Sequence, residues 1–271
     1  MGLQALSVAL EDGVMPPRPA LFRLPGLPSI LQELYAAAEF ADIATLPWAC
    51  ATPDKKFAGA AGFDPEIDLR DFAFDPEFRG RAMIDFFLER LGAASVAPGR
   101  RRNTWLAPRI RPAVSGQPGY VLLCPKASMR LRDMPEPVAA AAATWLEQNT
   151  GRTIMRQTHV ASLAELCGQV AGAGLVVSTD TGMVHLADAF EKPCIAFFTT
   201  HRPEWRMRDY PLCRAIHLPV PSLPPALEFS RGEADLAAVR AAWFPAGHDL
   251  SWLDAALART LARTLPGALA G

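Results

Sequence analysis

The feature that most constrains this chain is a regular alternation of strand-like and helix-like patterns between residues 120 and 218. Short apolar runs predict strands, and longer amphipathic or alanine-rich runs predict helices between them. Such alternation favours an α/β fold with a parallel sheet and helices on both faces. The predicted strands are 120–124, 153–155, 175–178, 194–198 and 215–218. The predicted helices are 137–149, 162–171 and 183–190, followed by 234–243 and 251–265.

The preceding residues predict a second, smaller unit. A stretch rich in Pro and Gly at 107–119 lacks periodicity and reads as a linker. We therefore expect an N-terminal domain over 1–112 and a C-terminal domain over 118–271. In the first domain, strands are predicted at 6–10, 42–46 and 66–69, and helices at 30–38 and 81–91. Long proline-rich loops between them indicate an irregular α/β domain.

Composition excludes several classes of function. With 27 basic and 28 acidic residues the net charge is −1, so neither nucleic acid nor an anionic membrane is expected as the main partner. The sequence contains no apolar run of about 18 residues, so no membrane span is expected, and the first residues do not resemble an export signal.

Five scattered cysteines without a CxxC pair fit a reducing compartment and predict neither a disulfide framework nor a structural zinc site. Cys124 and Cys194 lie in apolar runs and are expected to be buried.

Two clusters of residues in the N-terminal part can be interpreted as structural or as functional. The basic run at 100–102 is expected to be a solvated loop rather than a patch for nucleic acid. The phenylalanines between 72 and 87 are expected to form core rather than a stacking platform; they are Phe72, Phe74, Phe78, Phe86 and Phe87.

The strongest candidate for chemistry is the turn after the predicted strand 175–178. Asp180, Thr181 and Gly182 lead into a helix, and His185 falls in its first turn. The free N–H groups and the dipole of a helix N-terminus attract anions, and Gly182 would let a phosphate approach the backbone. Alternatively, Asp180 or Thr181 only caps the helix and His185 is an interior histidine. A hydrolase triad of Ser178, Asp180 and His185 is disfavoured because no G-x-S-x-G elbow is present.

These residues also resemble a known family. The run Ser178-Thr-Asp-Thr-Gly-Met-Val-His-Leu-Ala-Asp-Ala189, followed by Lys192-Pro193, resembles the S-x-D-T-G-x-x-H-L-A-x-A and G-K-P signature of glycosyltransferase family 9, the heptosyltransferases. Upstream, Pro125-Lys-Ala-Ser-Met-Arg-Leu-Arg-Asp-Met-Pro135 resembles the family's P-G-A-S-x-x-x-K-x-W-P. A third run, 162–166, resembles its S/T-L-x-E-L helix start. The resemblance extends over about residues 60–220.

The resemblance implies a GT-B-like architecture of two Rossmann-like domains, the N-terminal one reduced. It also implies a nucleotide-diphosphate sugar donor, typically ADP-heptose, and no cofactor or metal ion. By position, Thr181 and Gly182 would contact the diphosphate, and Asp180 and His185 would lie near the sugar and phosphates. The residues expected to hold phosphate oxygens are Ser128 and Arg132, the latter in the family's lysine place. An arginine keeps the positive charge and adds a bidentate fork.

Further positions are weaker candidates for the donor site. They are Lys126, Gln157, Thr199, His201 and Arg202. The family's general base is an aspartate in a Gly-Asp loop after the first strand, and this sequence has no clear equivalent. Asp12 is the candidate for the base; alternatively, it only forms part of a turn.

Two functions follow from the resemblance. In the first, the protein is a bacterial cytoplasmic glycosyltransferase, either free or peripheral at the inner membrane face. It would transfer a sugar, plausibly heptose, to lipopolysaccharide core or another glycan, lipid-linked or protein acceptor. In the second, it is a binding or scaffold protein that keeps the nucleotide-sugar cleft and has lost the base.

Overall fold

A computed structural model gives the fold of the chain. It describes residues 1–46, 67, 69, 72, 75–93, 95–113, 117–225, 227, 229–245, 247 and 249–265. The elements of the N-terminal part are α1 (Gly2–Glu11), β1 (Ala20–Arg23), α2 (Ser29–Ala36), β2 (Asp42–Thr45) and α3 (Met83–Arg90). Those of the C-terminal part are β3 (Val121–Cys124), α4 (Glu136–Thr150), β4 (Ile154–Arg156), α5 (Leu163–Gly172), β5 (Leu175–Thr179), α6 (Gly182–Ala189), β6 (Cys194–Phe198), α7 (Pro203–Met207), β7 (Cys213–His217), α8 (Glu233–Trp243) and α9 (Ser251–Thr264).

The five strands β3 to β7 form one parallel sheet in the order β4-β3-β5-β6-β7. Alternate residues of β3 face opposite cores. Leu122 and Cys124 join a core that includes α5 and α6, whereas Val121 and Leu123 join one built with α4, α8 and α9. The predicted α/β class, with a parallel sheet and helices on both faces, is therefore confirmed.

Local signals place the helices that flank this sheet. α4 ends where Gly151 takes up a left-handed conformation, with φ of 63°. At the start of α5, the Ser162 hydroxyl accepts from the backbone N–H of Glu165, and the Glu165 carboxylate accepts from the backbone N–H of Ala161. Ser162 thus caps α5, and Glu165 closes the helix start as in a capping box, except that its carboxylate reaches Ala161 instead of the N-cap residue.

The N-terminal part contains a two-stranded parallel sheet of β1 and β2. The strand predicted at 6–10 is wrong, because these residues belong to α1, which packs against α3. A short apolar run without turn signals does not distinguish a strand from a buried helix. The strand β1 was not predicted. The strand predicted at 66–69 lies largely outside the described residues.

An aromatic core holds this N-terminal part together. Phe78 contacts Phe72 and Phe86 edge to face, with ring centroids 5.0 and 5.3 Å apart, and Phe87 lies against both Phe72 and Phe86. The expectation of core rather than a stacking platform is confirmed for these four. Phe74 and Cys50 lie outside the described residues, and the other four cysteines are buried.

The two parts are joined by packing and by polar contacts. Trp105 and Leu106 belong to the core formed by α5 and α6. Glu33 of α2 accepts a hydrogen bond from the backbone N–H of Leu163, at the N-terminus of α5, over 2.7 Å. In the part of the chain that the structure describes, no helix is long and apolar enough to cross a membrane.

Candidate functional site

The turn between β5 and α6 lies at the carboxyl edge of the five-stranded sheet, where ligands bind in open α/β folds. Thr181 is the N-cap of α6, and its Oγ1 accepts from the backbone N–H of Met183 over 3.1 Å. The Ser178 and Thr181 hydroxyl oxygens are also 3.1 Å apart. Gly182 is exposed at the first position of the helix. The capping alternative therefore holds for Thr181, while the backbone at Gly182 remains open to solvent.

Asp180 does not cap the helix but pairs with His201. Its Oδ2 lies 2.7 Å from Nδ1 of His201 and 3.9 Å from Nη1 of Arg132. Its side chain is 7% exposed and that of His201 is fully buried. The loops that follow β3, β5 and β6 each contribute one of these residues, so the sheet brings together side chains that are distant in sequence.

Asp180 is an anion at every physiological pH. Burial by itself would raise its pKa, but the hydrogen bond with His201 and the charges of His201, Arg206 and Arg132 outweigh burial and lower the pKa to about 2. A buried carboxylate that stays ionised can accept hydrogen bonds from ligand hydroxyls.

The loop after β3 supplies Ser128 and Arg132. Nη2 of Arg132 lies 3.3 Å from the exposed Ser128 hydroxyl, and Nε of Arg132 is buried without a hydrogen-bond partner among the described residues. The neighbouring Lys126 is exposed and contacts Asp133 over 3.2 Å. Asp133 also accepts from the backbone N–H of Ala127 over 2.9 Å, which fixes the shape of the loop.

The loop after β6 begins with buried residues and ends at the surface. The Thr199 hydroxyl donates to the carbonyl of Leu131 over 3.3 Å and so connects this loop with the loop that carries Arg132. His201 lies beneath the site, against Asp180. Arg202 is exposed, with its guanidinium over the Trp205 ring at 5.3 Å.

His185 lies on α6 and is held by Tyr210. Its Nδ1 is 2.7 Å from the Tyr210 hydroxyl, which also accepts from the Asn103 side-chain amide. Burial is the largest of the causes that lower the pKa of His185, to about 3. His185 is therefore neutral near pH 7 and can offer a ligand a hydrogen bond but no positive charge.

The candidate triad of Ser178, Asp180 and His185 is not formed. The Ser178 hydroxyl donates to the carbonyl of Thr179 over 2.8 Å, while Asp180 pairs with His201 and His185 with Tyr210. The acid–histidine pair that does exist could be recognised only once β5 and β6 were known to be neighbours.

Two other candidates make contacts of their own away from this cluster. Gln157 follows β4, and its side-chain amide donates to the carbonyl of Thr158 over 2.6 Å. Asp12 ends α1, and its Oδ1 accepts from the Arg100 guanidinium over 2.6 Å.

The basic run at 100–102 joins separate elements, so the expectation of a merely solvated loop is wrong. Each guanidinium contacts a carboxylate from another part of the fold. The pairs are Arg100 with Asp12 at 2.6 Å, Arg101 with Asp85 at 3.1 Å, and Arg102 with Asp188 at 3.0 Å. The opposite charges were visible in the sequence, but their pairing depends on the tertiary fold.

The site combines one guanidinium, an exposed helix N-terminus and a buried carboxylate, which suits a ligand with both phosphate and hydroxyl groups. Among the described residues, no group of three or more His, Cys, Asp or Glu side chains is arranged to hold a metal ion.

Residues 121–212 match the sequence model of glycosyltransferase family 9 (heptosyltransferase), which confirms the resemblance over that segment. No curated protein matches the chain. One solved structure that is similar is the dodecameric iron-containing heptosyltransferase TibC in complex with ADP-D-beta-D-heptose. The two chains are 15% identical, with a TM-score of 0.42, over 70% of this chain and 62% of TibC. The matched part is thus less than two thirds of the length of TibC.

Proposed function

We propose that this protein is a glycosyltransferase whose donor is a nucleotide-diphosphate sugar, with the diphosphate bound between Arg132 and the N-terminus of α6. The observation that carries the proposal is the Arg132 guanidinium, whose buried Nε has no hydrogen-bond partner among the described residues. The guanidinium lies 3.9 Å from Asp180, two residues before the exposed start of α6, within the segment that matches family 9. A diphosphate offers the charge and the acceptor oxygens that both groups lack.

In this proposal the site stabilises the leaving nucleoside diphosphate. As the bond to the sugar breaks, negative charge grows on the diphosphate, and fixed donors lower the energy of that transition state. Arg132 and the backbone N–H of Gly182 would act there without a metal ion or cofactor. Asp180, as an ionised carboxylate, would accept hydrogen bonds from hydroxyl groups of the sugar, and the neutral His185 would lie near the sugar and phosphates.

The name of the family supports heptose as the sugar, and ADP as the leaving group is what the sequence resemblance implies. The proposed acceptor is a lipopolysaccharide-type or other glycan, on a lipid or a protein, in the bacterial cytoplasm or at the inner membrane face.

A second candidate is a protein that binds the nucleotide sugar without transferring it. The carboxylate of Asp12, the candidate base, contacts Arg100, which also pairs with Glu11 over 2.9 Å. In this arrangement the carboxylate would have to leave the Arg100 guanidinium before it could reach the hydroxyl of an acceptor. This contact favours binding without transfer unless another residue serves as base.

Calorimetric titration with ADP, UDP and GDP tests the site. We expect ADP to bind, and we expect Arg132→Ala to weaken ADP binding about tenfold to hundredfold, as loss of a charge-assisted hydrogen bond does. Arg130→Ala is the matched control, since Arg130 is exposed on the same turn and should leave binding unchanged. Failure of all three nucleotides to bind at millimolar concentration would overturn the proposal.

Release of ADP from ADP-heptose distinguishes the two candidates. A transferase releases ADP faster when a suitable acceptor is added, whereas a binding protein retains the donor with every acceptor tested. The same measurement on Asp12→Asn shows whether that carboxylate is the base, because turnover would then be lost while ADP affinity stays unchanged.

A further inference from the structure

His201 is one of the weaker candidates for the donor site, and its position argues for a role other than contact with the ligand. Its side chain has no exposed surface, and its Nδ1 lies 2.7 Å from Oδ2 of Asp180. A side chain buried beneath the site cannot reach a ligand without rearrangement. It can act through the residues that it contacts, and Asp180 is one of them.

The arrangement of Asp180 and Arg132 shows what that action is. Arg132 Nη1 lies 3.9 Å from the Asp180 Oδ2 atom that His201 engages, beyond hydrogen-bond range. Guanidinium and carboxylate groups this close commonly form a two-bond fork. No such fork is present here, and Nε of Arg132 has no hydrogen-bond partner among the described residues.

We propose that His201 is a positioning residue, which holds the Asp180 carboxylate away from Arg132 so that the guanidinium remains available to the diphosphate. This inference rests on the proposed function. It assigns to His201 the role of keeping Asp180 and Arg132 at the 3.9 Å separation of a loose ion pair, short of a hydrogen-bonded fork.

The Asp180 carboxylate and an incoming diphosphate would compete for the Arg132 guanidinium. If Asp180 formed a fork with Arg132, an incoming diphosphate would have to break that pair before using the guanidinium, and part of its binding free energy would be lost. With His201 in place, the carboxylate already has a close partner. Arg132 then needs no rearrangement when the ligand arrives.

ADP affinity in four variants tests the proposal, since ADP carries the diphosphate without the sugar. His201→Leu removes the donor, and we expect ADP binding to weaken about tenfold. His201→Asn keeps an amide N–H near the position of Nδ1 and should bind ADP within about threefold of the unaltered protein. The double variant His201→Leu with Asp180→Asn removes the competing charge and should regain most of the lost affinity. His159→Leu, at an exposed histidine, is the matched control and should bind ADP normally.

The recovery in the double variant separates positioning from a general structural role. Simple damage to the fold would be as large or larger with two substitutions, so no recovery in a folded double variant would overturn the proposal. Normal ADP binding by a folded His201→Leu would do the same, with the proposed function intact. If His201→Leu does not fold, weak binding by a folded His201→Asn contradicts the proposal, and near-normal binding together with a folded, ADP-binding double variant supports it. Absence of ADP binding by the unaltered protein would instead count against the proposed function.

Discussion

Several carboxylates pair with the basic run 100–102, and replacement of Asp188 by alanine should lower the free energy of unfolding more than replacement of any one of the others. Asp188 lies on α6 with its side chain only 1% exposed. Its two oxygens accept from Nε of Arg102 over 3.0 Å and from the backbone N–H of Asn103 over 2.8 Å. Asp188→Ala therefore leaves a largely buried guanidinium and a buried N–H without this acceptor.

The expected magnitude follows from those two losses. Removal of one partner of a buried ion pair costs about 3–5 kcal/mol of stability, and a buried N–H left without an acceptor costs about 1–3 kcal/mol. The two overlap at one carboxylate. Burial raises the pKa of Asp188 in spite of its contacts with Asn103 and Arg102, so desolvation outweighs the gain from pairing, and the cost of the substitution comes from the groups left without an acceptor. We therefore expect about 3 kcal/mol, a large fraction of the roughly 5–15 kcal/mol that stabilises a typical domain.

Urea unfolding provides the measurement and Glu191→Gln the matched control. Glu191 contacts the same Arg102 over 3.4 Å, but its side chain is 70% exposed, so its loss should cost less than about 1 kcal/mol. Asp188→Asn retains an oxygen that can accept from the backbone N–H of Asn103, so its loss of unfolding free energy should lie between those of Asp188→Ala and Glu191→Gln. Equal and small effects of Asp188→Ala and Glu191→Gln, at unchanged denaturant slope, would refute the reasoning.

Three further predictions concern single features of the fold. A Cβ at Gly182 would meet no atom within 4 Å, so Gly182→Ala should leave urea stability unchanged or slightly higher while weakening ADP binding in calorimetry; unchanged affinity would exclude close approach of the diphosphate there. The pKa of Asp180 is lowered in the folded state from 3.8 to about 2, so its contribution to stability is complete above pH 4 and is lost as pH falls towards 2; Asp180→Asn should flatten that part of the curve of unfolding free energy against pH, and an unaltered slope would contradict the assignment. Burial raises the pKa of Cys124 and Cys167 to about 12, so in a Cys50→Ser variant the remaining thiols should react with a disulfide reagent only as fast as the protein unfolds, and a rapid phase would show that one is accessible.

The C-terminal part was predicted well because its signals are local. The strands β3, β5 and β6 are built on short apolar runs, and Ser162 and Gly151 mark the ends of helices by their own chemistry. The N-terminal part was predicted less well. The apolar residues at 6–10 would be buried equally well in a strand, and the packing of α1 against α3 is a tertiary contact that this run does not reveal.

In the candidate site, too, local features could be predicted from the sequence and tertiary contacts could not. Asp180, Thr181 and Gly182 stand together in the sequence, so the capped helix start could be predicted, as could the loop that carries Ser128 and Arg132 through its motif. The partner of Asp180 could not be predicted, because His201 becomes its neighbour only when β5 and β6 pair. The division of the chain at residues 112 and 118 stays a prediction.

The sequence by itself determined which segments form the parallel sheet and where a helix N-terminus is left open, since strand period, capping and glycine placement act over a few residues. Only the tertiary structure decided which charges meet. A carboxylate among many arginines has no assigned partner until the order of strands and the packing of helices fix the distances over which charge and hydrogen bonding act. That is why His201, and not His185, is the histidine joined to Asp180.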